Sequence, residues 1–288
     1  MGLHHSPKIV TNGLVLALDA ADRNSYPGSG TTWFDLSGNS LNAIMYGSCS
    51  YDSTSNSILL NNNLYSASIN IISQFFPSGS FPYFDIYRTG SFFYNITNNF
   101  SYSVWCKTSS SLNITTPSTI PPEATSGASF AGSLYGSGQY NYLIGPMFPA
   151  GVVDFYATAS TGIALGNNAI AVVEHAGGYM PGTCIYNPGN STSIGNGWNN
   201  VTVVYTNRQA QIYLNGTLVR TGLTSGKSMI LMGLGIGNTS ASSQPSGSFG
   251  LSYGGFKGNI AAVSYYNRAL SADEIQQNFN ALRGRFGI

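Results

Sequence analysis

Charged side chains are scarce in this sequence: Asp, Glu, Lys and Arg supply 7% of its 288 residues, against about 25% in an average domain. The formal net charge is +1. A chain with so little charge lacks the long-range field that gathers nucleic acid or an acidic membrane surface. Cysteine is rarer still. Cys49, Cys106 and Cys184 are odd in number and widely separated, so neither a disulfide framework nor a zinc site is expected, and the thiols read as small buried hydrophobes. The first eight residues hold no apolar stretch of the secretory type, and no run of about 18 apolar residues exists, so neither signal peptide nor membrane span is expected.

Acid–base chemistry is equally short of material, with ten carboxylates and three histidines. A glycosidase needs two carboxyl groups about 5–10 Å apart, and no strand carries two at close spacing. Asp19 and Asp22 flank a strand end, Asp154 and Glu174 fall on separate strands, and Asp273 with Glu274 opens a helix. A nucleophilic triad would have to be built on His175, because His4 and His5 belong to the N-terminal segment. The chain is therefore read as non-enzymatic and without a cofactor.

What the sequence has instead is glycine (35), tyrosine (19) and a 42% apolar content, the composition of a packed protein with uncharged loops. Short strand patterns recur between turn signals, from Gly13–Asp19 through Asn42–Gly47, Ser57–Leu60, Phe100–Lys107, Tyr142–Ile144, Val152–Ala157, Ala169–His175, Thr183–Tyr186, Val201–Tyr205, Gln211–Leu214 and Leu218–Arg220 to Met229–Gly235 and Ile260–Tyr266. Leu14, Leu16 and Leu18 are expected on one face. Phe100, Tyr102, Val104 and Cys106 should face one way and Trp105 the other. Asn215-Gly216 is a type I′ hairpin signal. One helix is legible: Ser271 as N-cap, Glu274 completing a capping box, Leu270 and Ile275 as a hydrophobic staple, then Ile275, Phe279 and Leu282 as an apolar stripe. The pattern predicts an all-β antiparallel sandwich with one short C-terminal helix. Its divisions are an N-terminal arm (1–12), a single domain (13–282) with insertions at about 61–99 and 109–138, and a C-terminal tail (283–288).

Four segments carry a family resemblance. Gly13–Ala21 with Ser25–Trp33 and Asp35–Asn39, the strand Phe100–Lys107, the hairpin Gly197–Tyr205 with Ile212–Gly216, and the closing Gly258–Ile275 resemble, in order, the motifs of laminin-G-like jelly-roll domains of the concanavalin A type. The opening His5–Gly13 is similar to versions carried by tailed-bacteriophage virion proteins. The resemblance implies a concanavalin A-like jelly roll, with the strands Leu14–Leu18 and Ile260–Tyr266 side by side, serving as a virion structural protein, such as a capsid decoration, head-fibre or tail-appendage subunit. It would be located in the virion and contact other virion subunits or further copies of itself. The alternative it implies is a glycan-binding adhesin that recognises a host surface polysaccharide. The candidates for glycan binding are Tyr135, Tyr140, Tyr142, His175 and Tyr179, set in a Tyr/Gly/Ser loop and beside a Gly-Gly turn. For Glu174-His175 a satisfied structural pair is the competing reading. Laminin-G-like domains also hold calcium at the rim. Asp19, Asp22, Asp35 and Asp154 are the contributors here, and without a clustered D-x-D pattern they leave only a weak rim calcium as an alternative to no metal. Trp33, Trp105 and Trp198 read as packing residues.

Overall fold

A computed structural model describes residues 8–61, 67–71, 96–109, 122–127, 142–146, 157–166, 168–176, 179–188, 194, 197–237 and 256–288. In chain order its strands are β1 (Leu14–Asp19), β2 (Thr32–Trp33), β3 (Ala43–Gly47), β4 (Cys49–Asp52), β5 (Ser57–Leu60), β6 (Ala67–Ile71), β7 (Phe100–Thr108), β8 (Tyr142–Gly145) and β9 (Thr158–Leu165). They continue with β10 (Ile170–His175), β11 (Gly182–Tyr186), β12 (Asn199–Thr206), β13 (Gln209–Leu214), β14 (Thr217–Thr224), β15 (Met229–Leu231), β16 (Gly235–Ile236) and β17 (Gly258–Tyr266), and helix α1 spans Ala272–Phe286. Two sheets form. The first has the order β14-β13-β12-β7-β17-β5-β4 with β1 beside β17, and the second β11-β10-β9-β8-β16-β6-β3-β2 with β15 beside β9.

The strands face each other across one apolar core because their side chains alternate. On β7, Phe100, Tyr102, Val104 and Cys106 enter the shared core, while Trp105 packs with Phe279 on the outer side. Trp33, Ile163, Val172, Val203, Tyr205 and Tyr265 join that core from both sheets. On β1 the expected row is broken. A register irregularity between Leu14 and Leu16 turns Leu14 to the outer cluster, and Val15 takes a place in the core with Leu16 and Leu18.

Strand β17 closes the first sheet. One edge pairs with β7 from Gly258↔Thr108 to Tyr266↔Ser101. The other edge is shared: Gly258–Ile260 pair with β5, and Ala262–Tyr266 pair with β1. Between them the Ala261 carbonyl accepts the Ala20 N–H at 2.9 Å. Gly258 is required here, since at φ +147° any Cβ would strike the Lys107 carbonyl.

Helix α1 lies on the outer face of this sheet. The Ser271 hydroxyl accepts the Glu274 N–H and the Glu274 carboxylate accepts the Ser271 N–H, a complete capping box. Arg268 adds a bidentate pair to Glu274 at 2.8 and 2.6 Å. Leu270 and Ile275 meet in the outer cluster. The helix runs through Phe286, so residues 283–286 form its last turn and not a separate tail. Phe286 explains why, stacking on Trp105 with ring centroids 4.2 Å apart and leaning on Trp198 at 4.7 Å. Residues 8–12 follow the helix, so both described ends of the chain lie on this face.

Two differences from the expected strand pattern concern the second sheet. Central strand β9, Thr-Ala-Ser-Thr-Gly-Ile-Ala-Leu, is buried along its whole length although no strand was expected there. Its small, hydroxyl-rich residues hide the apolar signal. The expected strand over Val152–Ala157 lies outside the described residues except for Ala157. The expected Met229–Gly235 strand divides into β15, which pairs in parallel with β9, and β16, which pairs with β6 and β8.

Candidate functional site

The five glycan-binding candidates read from the sequence reach three places. Tyr135 and Tyr140 lie outside the described residues. Tyr142 is fully buried on β8, so its ring offers no face to a sugar. His175 and Tyr179, each 8% exposed, flank a polar cluster built on Glu174. Strand β10 turns Glu174 into the sandwich interior, where Tyr179 donates to Oε2 at 2.8 Å, Ser225 to Oε2 at 2.5 Å and Tyr205 to Oε1 at 3.3 Å. The cluster ties the second sheet, the Ala176–Tyr179 bridge, strand β12 and the loop after β14 together. Lys227 sits over the Tyr179 ring at 4.5 Å. Burial pushes the Glu174 carboxyl above its ordinary value, opposed by the hydrogen bonds from Ser225, Tyr179 and Tyr205 and by the charge of Lys227. With Glu174 fully buried, this is a lock between the sheets.

The other described carboxylates, Asp273 apart, are also committed. Asp35 Oδ1 accepts the Ala17 and Ser37 N–H groups, and Oδ2 accepts the Leu41 N–H and the Ser37 hydroxyl. Asp19 accepts the Ala21 N–H and pairs with Arg285 at 2.5 Å. Asp22 and Asp52 hold their own turns through Asn24 and Thr54. Glu123 accepts the Ile185 N–H from one edge strand and grips Arg220 of another, which clasps the described part of the second insertion across the side of the sandwich. Glu274 caps the helix, and Asp273 lies in its first turn. Among the described residues no three Asp, Glu, His or Cys side chains converge as a metal site. Asp19, Asp22 and Asp35 each accept hydrogen bonds from their own neighbours, and Asp154 lies outside the described residues.

An outward surface on the second sheet has a different character. Thr32 pairs with Ile44 and Trp33 with Ala43. Trp33 and Ala43 point into the core, so Ile44 and Tyr46 on β3, and Phe34 just beyond β2, point out. Tyr46 is 47% exposed and Phe34 41%. Their Cα atoms lie on opposite sides of the Thr32/Ile44 pair, about 13 Å apart along the strands.

The backbone below Phe34 is firmly held. Its N–H donates to the Ser25 carbonyl at 2.7 Å, and its carbonyl accepts the Ser25 hydroxyl at 2.6 Å. The Asp35 N–H then donates to the Asn42 carboxamide at 3.0 Å, and the four donors on Asp35 knot the loop that follows. These two aromatics were not among the candidates expected from the sequence. The usable signal was the adjacent pair Trp33-Phe34, since neighbours on a strand must face opposite ways and only one of the two can be core.

Two packed antiparallel sheets with one parallel pair and a covering helix define a concanavalin A-like β-sandwich. The sequence profile of the concanavalin A-like lectin/glucanases superfamily, laminin G type, matches residues 78–276, and the chain belongs to that family. No curated protein sequence matches it. Among solved structures it is similar to the binding domain of botulinum neurotoxin DC in complex with rat synaptotagmin II (12% identity, TM-score 0.55, 95% of this chain and 52% of that one). It is also similar to botulinum neurotoxin type C, described as depending for cell entry on interaction with two ganglioside molecules (13%, 0.53, 95% and 52%). The binding domain of Paraclostridial Mosquitocidal Protein 1 is a further match (16%, 0.52, 94% and 52%). The chain spans about half the length of these structures.

Proposed function

We propose that this chain is a non-enzymatic glycan-binding module that holds carbohydrate against the outward face of β2 and β3. The observation that carries the reading is the pair of exposed aromatic rings, Phe34 and Tyr46, the first on a backbone fixed by Ser25 and the second on a strand paired with β6. Solvent-facing rings on a held backbone, beside amide side chains, are what sugar C–H faces and hydroxyls require, and a preformed surface limits the ordering cost of binding. A protein of the same fold whose cell entry depends on two gangliosides supports a carbohydrate ligand over a purely structural role. The engagement of most described carboxylates in structural hydrogen bonds supports binding over hydrolysis.

A glycan array probed with the wild-type chain, Phe34→Ala and Tyr46→Ala tests the reading. Each substitution should weaken binding about tenfold, equivalent to 1.4 kcal/mol, without lowering the melting temperature, because both side chains are exposed. Absence of binding to every glycan, or variants that bind as well as wild type, would overturn it.

A virion setting, as a capsid decoration, head-fibre or tail-appendage subunit of a tailed bacteriophage, is the second reading. It is favoured by the packing of residues 8–12 along α1, which puts both described ends of the chain on the first sheet's outer face. An anchor there leaves the opposite sheet free to touch a host polysaccharide. Mass spectrometry of purified virions should find the chain at a fixed stoichiometry, and its absence from particles would end this reading.

A further inference from the structure

We infer that the β2–β3 surface takes an uncharged, extended polysaccharide chain along its length, and not a charged or terminal sugar; this rests on the glycan-binding reading above. Three features of the surface point to it. The first is shape. Phe34, just beyond β2, and Tyr46, on β3, stand on either side of the Thr32/Ile44 pair, so the described surface is a row and not a ring of side chains around one centre. A span of about 13 Å between the two aromatic positions suits about three pyranose rings, with the outer two resting on Phe34 and Tyr46 and the middle one over Thr32 and Ile44.

The second feature is charge. Thr32, Phe34, Asn42, Ile44 and Tyr46 carry none. The nearest acid in sequence, Asp35, has both oxygens filled by four donors from its own loop and from β1. Arg23, on the preceding loop, donates to the Pro27 carbonyl at 2.8 Å. A sialic acid or sulfate brought to this surface would lose hydration, and none of the five side chains that form it is a cation that could replace it. An uncharged sugar meets no such penalty.

The third is rigidity. The Phe34 backbone is bonded through both its N–H and its carbonyl to Ser25, a fully buried residue, and Tyr46 belongs to a strand paired to β6 through five consecutive residues. The two backbone positions therefore keep their separation, and a ligand must match it to engage both rings. Selection by length follows from this geometry.

Isothermal titration with neutral linear gluco-, xylo- and manno-oligosaccharides of one to six residues, alongside sialyllactose and a sulfated disaccharide, tests the inference. The expected result is affinity that climbs from one residue to about three or four and then levels, the length set by the aromatic spacing. It should be insensitive to salt between low and physiological ionic strength. Phe34→Ala and Tyr46→Ala should each flatten the climb while the melting curve stays in place. Affinity for a monosaccharide or sialyllactose equal to that for the oligomers, or binding that weakens with salt, would overturn the extended neutral-chain inference and leave glycan binding standing. Binding to none of these probes, together with a blank glycan array, would overturn both.

Discussion

The Val10 N–H donates to the Asn278 carboxamide oxygen at 2.8 Å, joining the start of the described chain to the middle of its last helix. Asn278 also donates to the Tyr266 hydroxyl at 3.0 Å, and that hydroxyl donates to the Val10 carbonyl at 3.1 Å. The three groups close a buried triangle between the N-terminal segment, β17 and α1. Replacing Asn278 with leucine should strand the Val10 N–H and cost about 1–3 kcal/mol. Denaturant unfolding gives the cost, and hydrogen exchange should show residues 8–12 losing protection before the sheets do. A Val10 amide that stays protected in the variant would contradict the assignment.

The capping pair makes the helix sensitive to acid. Arg268, followed by the Ser271 hydrogen bonds, holds the Glu274 carboxyl at about 2, below the ordinary 4.5. The folded value is the depressed one, so the stabilisation is complete above about pH 4.5 and fades as pH falls from there towards 2. Glu274→Gln should reduce stability by about 1 kcal/mol at neutral pH and remove this part of the acid dependence. Helical circular dichroism across a pH series measures both.

Glu174 should act in the opposite sense. Its folded value is raised, chiefly by burial, so the folded state holds its proton more tightly than the unfolded one. Stability contributed at low pH should therefore decline as pH rises from the ordinary carboxyl value through the raised one. The groups facing this carboxyl are Tyr179, Tyr205, Ser225 and Lys227, and the three hydroxyls keep their donors at neutral pH. Glu174→Gln should flatten the decline, read from melting temperatures between pH 4 and pH 8, whereas Glu174→Ala should lower stability at every pH by emptying a fully bonded position. An unchanged pH profile in the glutamine variant would refute the lock.

Tyr265 offers a stabilising substitution. Its ring makes an edge-on contact with Tyr102 at 4.8 Å, yet its fully buried hydroxyl has no hydrogen-bond partner among the described residues. Burial drives its ionisation well above the ordinary tyrosine value. Tyr265→Phe keeps the ring contact and removes the stranded polar group, so stability should hold or rise by about 1 kcal/mol. A loss of more than that in denaturant titration would mean that the hydroxyl is bonded after all.

The strands with large alternating side chains were legible in the sequence, and the reason is physical. Phe100 to Cys106 places an aromatic or branched residue at most inward positions, and Ser271 with Glu274 marks a helix start in four residues. The pairing of β1 with β17 followed from the family resemblance and not from the alternation. Strand β9 was opaque because Ser160, Thr161 and Gly162 are buried where a periodic signal needs apolar bulk. The reach of α1 was underestimated because Phe286 follows Arg283 and Arg285, and only the stacking on Trp105 shows that the last turn has a floor. Phe34 and Tyr46 lie in or beside short strands whose inner and outer faces are both apolar, so sequence alone does not say which ring stays dry.

Strand β17 follows all of its partners in the chain, yet it occupies the middle of its sheet. Until those last residues are available, β1, β5 and β7 each present an unpaired edge, and the apolar side chains meant for the core face water. Loss of this strand would therefore split the sheet instead of trimming it, leaving several sticky margins at once. A chain assembled in this order depends on rapid completion once its C-terminal segment appears. Its main hazard lies in the interval before that, when any passing strand of suitable pattern can take the vacant place.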